Sequence, residues 1–235
     1  ADPARCTGCG ACVALCQYKA IALFGDFPTV FPEMCHGCGG CLAVCPTGAL
    51  TPGWRVLGDI EEGRAGDAGF LMGRLRIGEA LSPPLIRQVR ARLAARLAAA
   101  PGPTDALLDS PPGTSCPAVN AVAGADAVVL VTEPTPFGLH DLKLARHAFA
   151  SLGAPMGVVV NRCDSGDRRV HAYCRATGLP ILAEIPFDRA LAEAYARGQP
   201  ATAVSPGYRA LFESLADAVR RLATAPGGVR RAVHA

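Results

Sequence analysis

Cysteines crowd the first fifth of the chain at a spacing that repeats. Residues 6–21 read CTGCGACVALCQYKAI and residues 35–50 read CHGCGGCLAVCPTGAL. Cys6, Cys9, Cys12 and Cys16 have counterparts at Cys35, Cys38, Cys41 and Cys45. The glycines at 8 and 10 and the alanine at 14 match those at 37, 39 and 43. This is an internal duplication. A cubane [4Fe–4S] cluster needs four thiolates aimed at four corners, and a tight C-x2-C-x2-C loop supplies three. Small residues, here Gly8, Gly10, Gly37, Gly39 and Gly40, let the backbone close around the inorganic core and turn amide N–H groups toward its sulfides. The last cysteine of each unit is expected to start a short helix and to point away from its own loop, so that it serves the other cluster. The expected ligand sets are Cys6, Cys9, Cys12 and Cys45 for cluster I, and Cys35, Cys38, Cys41 and Cys16 for cluster II.

Other uses of cysteine fit the spacing poorly. Structural zinc favours two C-x2-C pairs, not two triplets each trailed by a further cysteine. Disulfide frameworks belong to small exported chains, and no signal-peptide pattern is found here. A reducing, cytoplasmic setting and a metal role are expected. Over about residues 1–52 the sequence resembles the bacterial two-cluster ferredoxin, a small α+β domain. One departure is visible: Pro46 follows Cys45, whereas Gln17 follows Cys16. It changes packing over one cluster and removes no ligand. His36, inside the second loop, is read as a solvated side chain, the alternative being a pH-dependent influence on potential. Cys116, Cys163 and Cys174 are scattered and read as ordinary thiols.

Composition bounds the rest. Half of the 235 residues are hydrophobic, enough for a sizeable core, and the net charge of +3 is mild. Lys19 and Lys143 are the only lysines, and no basic run interleaved with aromatics appears, so nucleic acid is not an expected partner. No apolar run is long enough to span a bilayer.

After Pro52 the pattern changes. Residues 54–61 and 70–77 read as strands joined by a glycine-rich loop, EGRAGDAG. A helix follows over 81–100, capped by Ser82, with Leu85, Ile86, Val89, Leu93 and Leu97 on one stripe. Four buried strands are then expected in ALLD, AVVLVTE, GVVVNR and ILAEIP, with helices near 140–152, 166–178 and 188–198 and a last helix from Tyr208 to Leu222. The stripe Leu211, Phe212, Leu215, Val219 and Leu222 is read as packing on the sheet, not as a membrane anchor. Such alternation means a mainly parallel sheet with helices on both faces, with ligands at the carboxyl ends of its strands, where Asp109, Glu133, Asn161 and Pro186 fall. Three parts are expected: a two-cluster domain over 1–52, an α/β domain over 53–225, and a flexible tail over 226–235.

The segments DSPPGTSCP, LVTEPTPFGLHDLKLA, VVVNR and EIPFD, together with GRLRIGEALSPPLIRQV, resemble the MinD-type P-loop ATPases, and most of all the group carrying an inserted two-cluster ferredoxin. That resemblance implies ATP and Mg²⁺ as cofactors. It places Asp109 near the Mg²⁺ through water, Gly113 where a backbone N–H senses the terminal phosphate, Asn161 at the adenine edge, and Pro186 and Phe187 on the wall of the base pocket. The family's phosphate-gripping loop, K-G-G-x-G-K-[ST], is absent from residues 1–235 and would precede Ala1. The α/β domain is thus expected to be an incomplete P-loop fold lacking its first strand. ATPase activity is expected only of a longer protein that supplies the loop. Three functions follow from these expectations: a redox ATPase in which nucleotide state biases electron transfer to a partner protein, with a homodimer implied by the family; an electron carrier whose second domain only docks; and an iron–sulfur carrier or assembly protein.

Overall fold

The structure, a computed structural model, describes residues 1–224. The tail expected at 226–235 lies outside the described residues. Two compact units divide the chain between Val89 and Arg90, whereas the change in composition suggested a border near Pro52.

In the first unit the repeat in sequence is a repeat in space. Helices α1 (Ala11–Leu15) and α2 (Gly40–Val44) each follow a glycine in the left-handed region, Gly10 with φ 71° and Gly39 with φ 75°, a conformation that side chains resist. Strands β1 (Ile21–Phe24) and β2 (Phe27–Val30) form an antiparallel hairpin between them. Two crossed hydrogen bonds tie the halves together. Asp2 N donates to Ala49 O at 2.7 Å, and Phe31 N donates to Ala20 O at 2.8 Å. Asp2 and Phe31 are one repeat apart, as are Ala20 and Ala49, and both alanines are buried. The segment entering each cysteine loop is therefore pinned just beyond the last cysteine of the other unit. These cysteines end their helices and do not start them, contrary to the expectation from sequence: Cys16 and Cys45 are C-caps with extended backbone. The glycine at each N-cap sets the earlier start, and the extended cap turns the chain toward the opposite half.

Strands β3 (Gly58–Ala65) and β4 (Ala68–Leu75) pair antiparallel across a two-residue turn, Gly66–Asp67, with Gly66 at φ 61°. The expected glycine-rich loop is thus mostly ladder. A glycine in the first turn position suffices for a tight hairpin, so the flanking residues zip together and both strands shift toward the turn. Helix α3 (Pro83–Ala98) crosses from the first unit into the second. At Gly73 on β4 an added Cβ would lie 2.8 Å from Leu85 Cγ and 3.0 Å from Val89 Cγ2, so the helix meets bare backbone there. Arg55 and Glu79 close the base of this hairpin with a two-point ion pair, and Leu81 N donates to Glu79 Oε1 at 3.0 Å.

The second unit holds a three-stranded parallel sheet, order β5-β6-β7: β5 (Val128–Thr132), β6 (Met156–Asn161) and β7 (Ile181–Ile185). Its helices are α4 (Cys116–Val122), α5 (Pro136–Ala150), α6 (Arg169–Thr177), α7 (Arg189–Ala196) and α8 (Pro206–Thr224). Val158, Val159 and Val160 are 0, 2 and 0 % exposed. Successive strand residues point to opposite faces, so both faces of β6 are covered. Val158 and Val160 meet Ala118, Leu142, Phe149, Val170 and Cys174 in one core, and α8 packs on β6 and β7 as its stripe required. Helix α5 starts earlier than the sequence suggested, because Thr135 caps it, accepting from Gly138 N at 3.0 Å, and Pro136 suits the first turn.

The strand expected in ALLD is not formed. Among the described residues β5 is the edge of the sheet. Without a ladder partner, residues 106–109 stay irregular, and Leu107 is 95 % exposed. No helix among the described residues is long and apolar enough to cross a membrane.

Val158→Ala should cost about 2 kcal/mol, from the lost methyl burial plus the cavity left in a closed core, while Val131→Ala, at a residue 67 % exposed, should stay within about 0.5 kcal/mol. Urea denaturation of the two variants checks the contrast. Gly73→Ala should destabilise the β4–α3 contact by about 1–3 kcal/mol through overpacking, read in the same melts as a lower midpoint.

Candidate metal centres

The cysteine loops converge because their glycines allow it. Gly8 lies so close to the β1–β2 turn that an added Cβ would meet Asp26 O at 2.8 Å, and a Cβ on Gly40 would meet Leu15 Cδ2 at 2.9 Å. Gly8, Gly10, Gly37 and Gly39 all have positive φ. The post-cysteine turns match as well: Lys19 and Gly48, one repeat apart, share the left-handed conformation at φ 53° and 59°.

A small cavity lies in the first half, and Cys6, Cys9, Cys12 and Cys45 all line it, with Leu23, Pro28 and Leu50 as apolar wall. This is the set expected for cluster I, including the cysteine lent by the other repeat. The mirrored bond from Phe31 to Ala20 pins the chain entering the second loop four residues beyond Cys16. Amides already face the sulfurs: Ala49 N lies 3.2 Å from Cys45 Sγ, Ala20 N 3.4 Å from Cys16 Sγ, and Gly37 N 3.4 Å from Cys35 Sγ. Donors of this kind stabilise thiolate, and soft thiolates are what an iron–sulfur core takes. All eleven cysteines are free. Among the described residues no three Cys, His, Asp or Glu side chains converge as tightly as a single metal ion needs. A cubane binds each thiolate to a different iron and so spreads its ligands wider. The donor set, the cradle and the amides therefore fit a [4Fe–4S] core in each half.

The thiols are not equivalent. The Thr47 hydroxyl, 3.7 Å from Cys45 Sγ, and then the amides of Leu50, Ala49 and Thr47 bring the Cys45 thiol down to about 7. Cys41 is pushed up, first by burial and then by Cys35. Two further contacts escaped the sequence reading. Arg5 Nη2 donates to Thr47 O at 2.6 Å, and the rings of Tyr18 and His36 stack with centroids 3.7 Å apart and planes 8° apart. Setting the repeats in register places Thr47 opposite Tyr18 and Arg5 opposite Met34, and that was the signal available.

In the second unit, some residues assigned by resemblance come together and others do not. Asn161 ends β6 beside Ile185 of β7, with Pro186 and Phe187 next along the chain. Phe187 N donates to Asp164 Oδ1 at 2.8 Å, and its ring lies 5.5 Å from the Arg162 guanidinium. Asp164 is held below the usual carboxylate range, first by that amide. Asn161 also lines an opening with Thr132, Glu133, Thr135, Phe137 and Asp141 at the carboxyl ends of β5 and β6. Its carboxylates make that opening hostile to phosphate, and Glu133 is already paired with Arg162 at 3.5 Å. Asp109 and Gly113 lie exposed on the irregular segment before α4, where a Cβ on Gly113 would touch nothing within 4 Å. Among the described residues no hydrogen bond or ion pair joins either to Asn161 or Phe187.

Residues 5–49 match the family model of a 4Fe-4S dicluster domain. Two uncharacterized proteins of Methanocaldococcus jannaschii are similar to the chain. One is 26% identical over 145 residues, 62% of this chain and 49% of its own length; the other is 35% identical over 136 residues, 58% of this chain and 46% of its own length. The chain thus spans about half the length of the curated relatives it matches. Its N-terminal region is an iron–sulfur, ferredoxin-like domain of the dicluster kind.

Proposed function

We propose that the chain is a cytoplasmic electron-transfer protein holding two [4Fe–4S] clusters, and that in a longer natural protein its second unit is a MinD-type ATPase domain whose nucleotide state biases electron transfer to a redox partner. The observation that carries the first part is the cavity lined by Cys6, Cys9, Cys12 and Cys45, with ligands from both repeats. The clusters supply one-electron redox chemistry. The protein's part is to hold eight thiolates, turn amides toward them and wall the core with apolar side chains.

The second part is supported by the resemblance of the DSPPG, VVVNR and EIPFD segments and by the parallel sheet that gathers Asn161, Pro186 and Phe187 at its carboxyl edge, where ligands of such sheets bind. In this reading Asn161 orients an adenine edge and Phe187 walls the base. Asp109 holds Mg²⁺ through water, and the N–H of Gly113 meets the terminal phosphate once the segment before α4 orders around nucleotide. A homodimer closing over nucleotide belongs to the same proposal. A second reading keeps the clusters and makes the α/β unit a docking domain that binds no nucleotide. The carboxylates of Glu133 and Asp141 in the opening beside Asn161 favour it.

Anaerobically reconstituted protein should carry about eight irons and eight sulfides per chain. Crossed ligation makes a sharper forecast: Cys6→Ala with Cys45→Ala should keep one cluster, and Cys6→Ala with Cys16→Ala should lose both. Iron counts that come out the other way round refute the crossing. For the coupling, cluster midpoints of the full-length natural protein should move on adding ATP–Mg²⁺. Midpoints that stay fixed, in protein shown to bind the nucleotide, refute the coupling, and full-length protein that binds no nucleotide leaves the docking reading.

A further inference from the structure

The backbone repeats closely between the two halves, but the side chains around the two cysteines exchanged between repeats differ. Cys45 and Cys16 each accept from an alanine amide four residues on, at 3.2 and 3.4 Å. Only Cys45 has a side-chain donor as well, the Thr47 hydroxyl at 3.7 Å. Its counterpart in the other repeat is Tyr18, whose ring is committed to the stack on His36. Arg5 Nη2 holds the Thr47 carbonyl at 2.6 Å and lies over Gly48, where an added Cβ would come within 2.7 Å of it. The counterpart of Arg5 is Met34, which has no such donor to give. The remaining amide donor, Gly37 N to Cys35 Sγ at 3.4 Å, has no counterpart at Cys6 among the described residues and counts toward the second centre, whereas both donors of the first, an amide and a hydroxyl, fall on the single sulfur of Cys45.

A sulfur bound to iron stays deprotonated and can only accept, so the hydroxyl must donate. Each hydrogen bond to cluster sulfur stabilises the more negative, reduced state and raises the reduction potential. Lys19, at the position matching Gly48, puts a positive charge on the other half, but it is exposed, and charge in solvent is screened. We propose that Thr47 holds the cluster bound by Cys6, Cys9, Cys12 and Cys45 at a higher potential than the cluster bound by Cys35, Cys38, Cys41 and Cys16, with Arg5 as the positioning residue that fixes the Thr47 turn. An electron given to the pair then rests preferentially on the first centre. This inference rests on the dicluster reading and on the crossed ligand sets.

The test is a potentiometric titration of the whole chain, anaerobically reconstituted and followed by electron paramagnetic resonance, with iron and sulfide counted on each sample. Wild type should show two separated midpoints. Thr47→Val keeps the shape and deletes the donor, and should lower the higher midpoint while the lower one stays, narrowing the gap. Thr47→Ser should restore the wild-type gap. Arg5→Met should lower the same midpoint by less. Fewer than eight irons in wild type overturns the dicluster reading and this inference with it. Eight irons, with Thr47→Val leaving the higher midpoint in place or moving the lower one, overturns this inference alone.

Discussion

The first unit depends on an exchange. Each cysteine loop can point three sulfurs inward, and geometry turns its remaining cysteine out. The chain carries two copies, and in the proposed ligand sets each completes the other. The hydrogen bonds from Asp2 to Ala49 and from Phe31 to Ala20 are the fasteners. They are short backbone bonds beside buried alanines, related by the repeat, and each pins the chain entering one loop just beyond the last cysteine of the other unit. Neither half could satisfy its sulfurs alone. A domain this small also buries little apolar surface, so metal binding and folding should be closely coupled in it.

Close approach explains the residue choices around that exchange. Gly8 faces the Asp26 backbone at a distance no side chain could share. The left-handed glycines before α1 and α2 start the helices early enough for the chain to leave them at Cys16 and Cys45. Where close approach does not dictate the residue, the halves diverge. Thr47 against Tyr18 and Arg5 against Met34 leave the backbone repeat intact and give the two sulfur environments different donors. Duplication thus fixes the scaffold, and single side chains differ around Cys16 and Cys45.

The second unit obeys a different constraint. Valines 158, 159 and 160 of β6 are closed on both faces, so the middle strand is rigid and its carboxyl end is a fixed platform. Asn161 and the Pro186–Phe187 corner stand on that platform, tied by the bond from Phe187 N to Asp164. The Asp109–Gly113 segment has no such support. Loops of few contacts are where proteins put parts that order on binding, which suits a switch and equally suits a segment that has yet to meet its partner strand.

Much was legible from the chain alone. Cysteine spacing announced an iron–sulfur domain of the dicluster kind, because thiolate count and loop reach are local properties. The β-branched runs announced β5, β6 and β7, because buried parallel strands need little besides apolar residues. The failures came where an outcome depends on a neighbour. ALLD has strand composition, but a strand exists only where another bonds to it. The fourth cysteines were placed at the wrong end of their helices because the N-cap glycines, not the cysteines, set the boundary. The stack of Tyr18 on His36, the reach of Arg5 to Thr47 and the contact of buried His171 Nε2 with Glu184 Oε1 at 2.5 Å join residues far apart in sequence. Residue type and local spacing settled which metal chemistry is available. Only packing, which decides which distant atoms come within hydrogen-bond reach, settled which donors meet Cys45 and Cys16 and which assigned residues stand together.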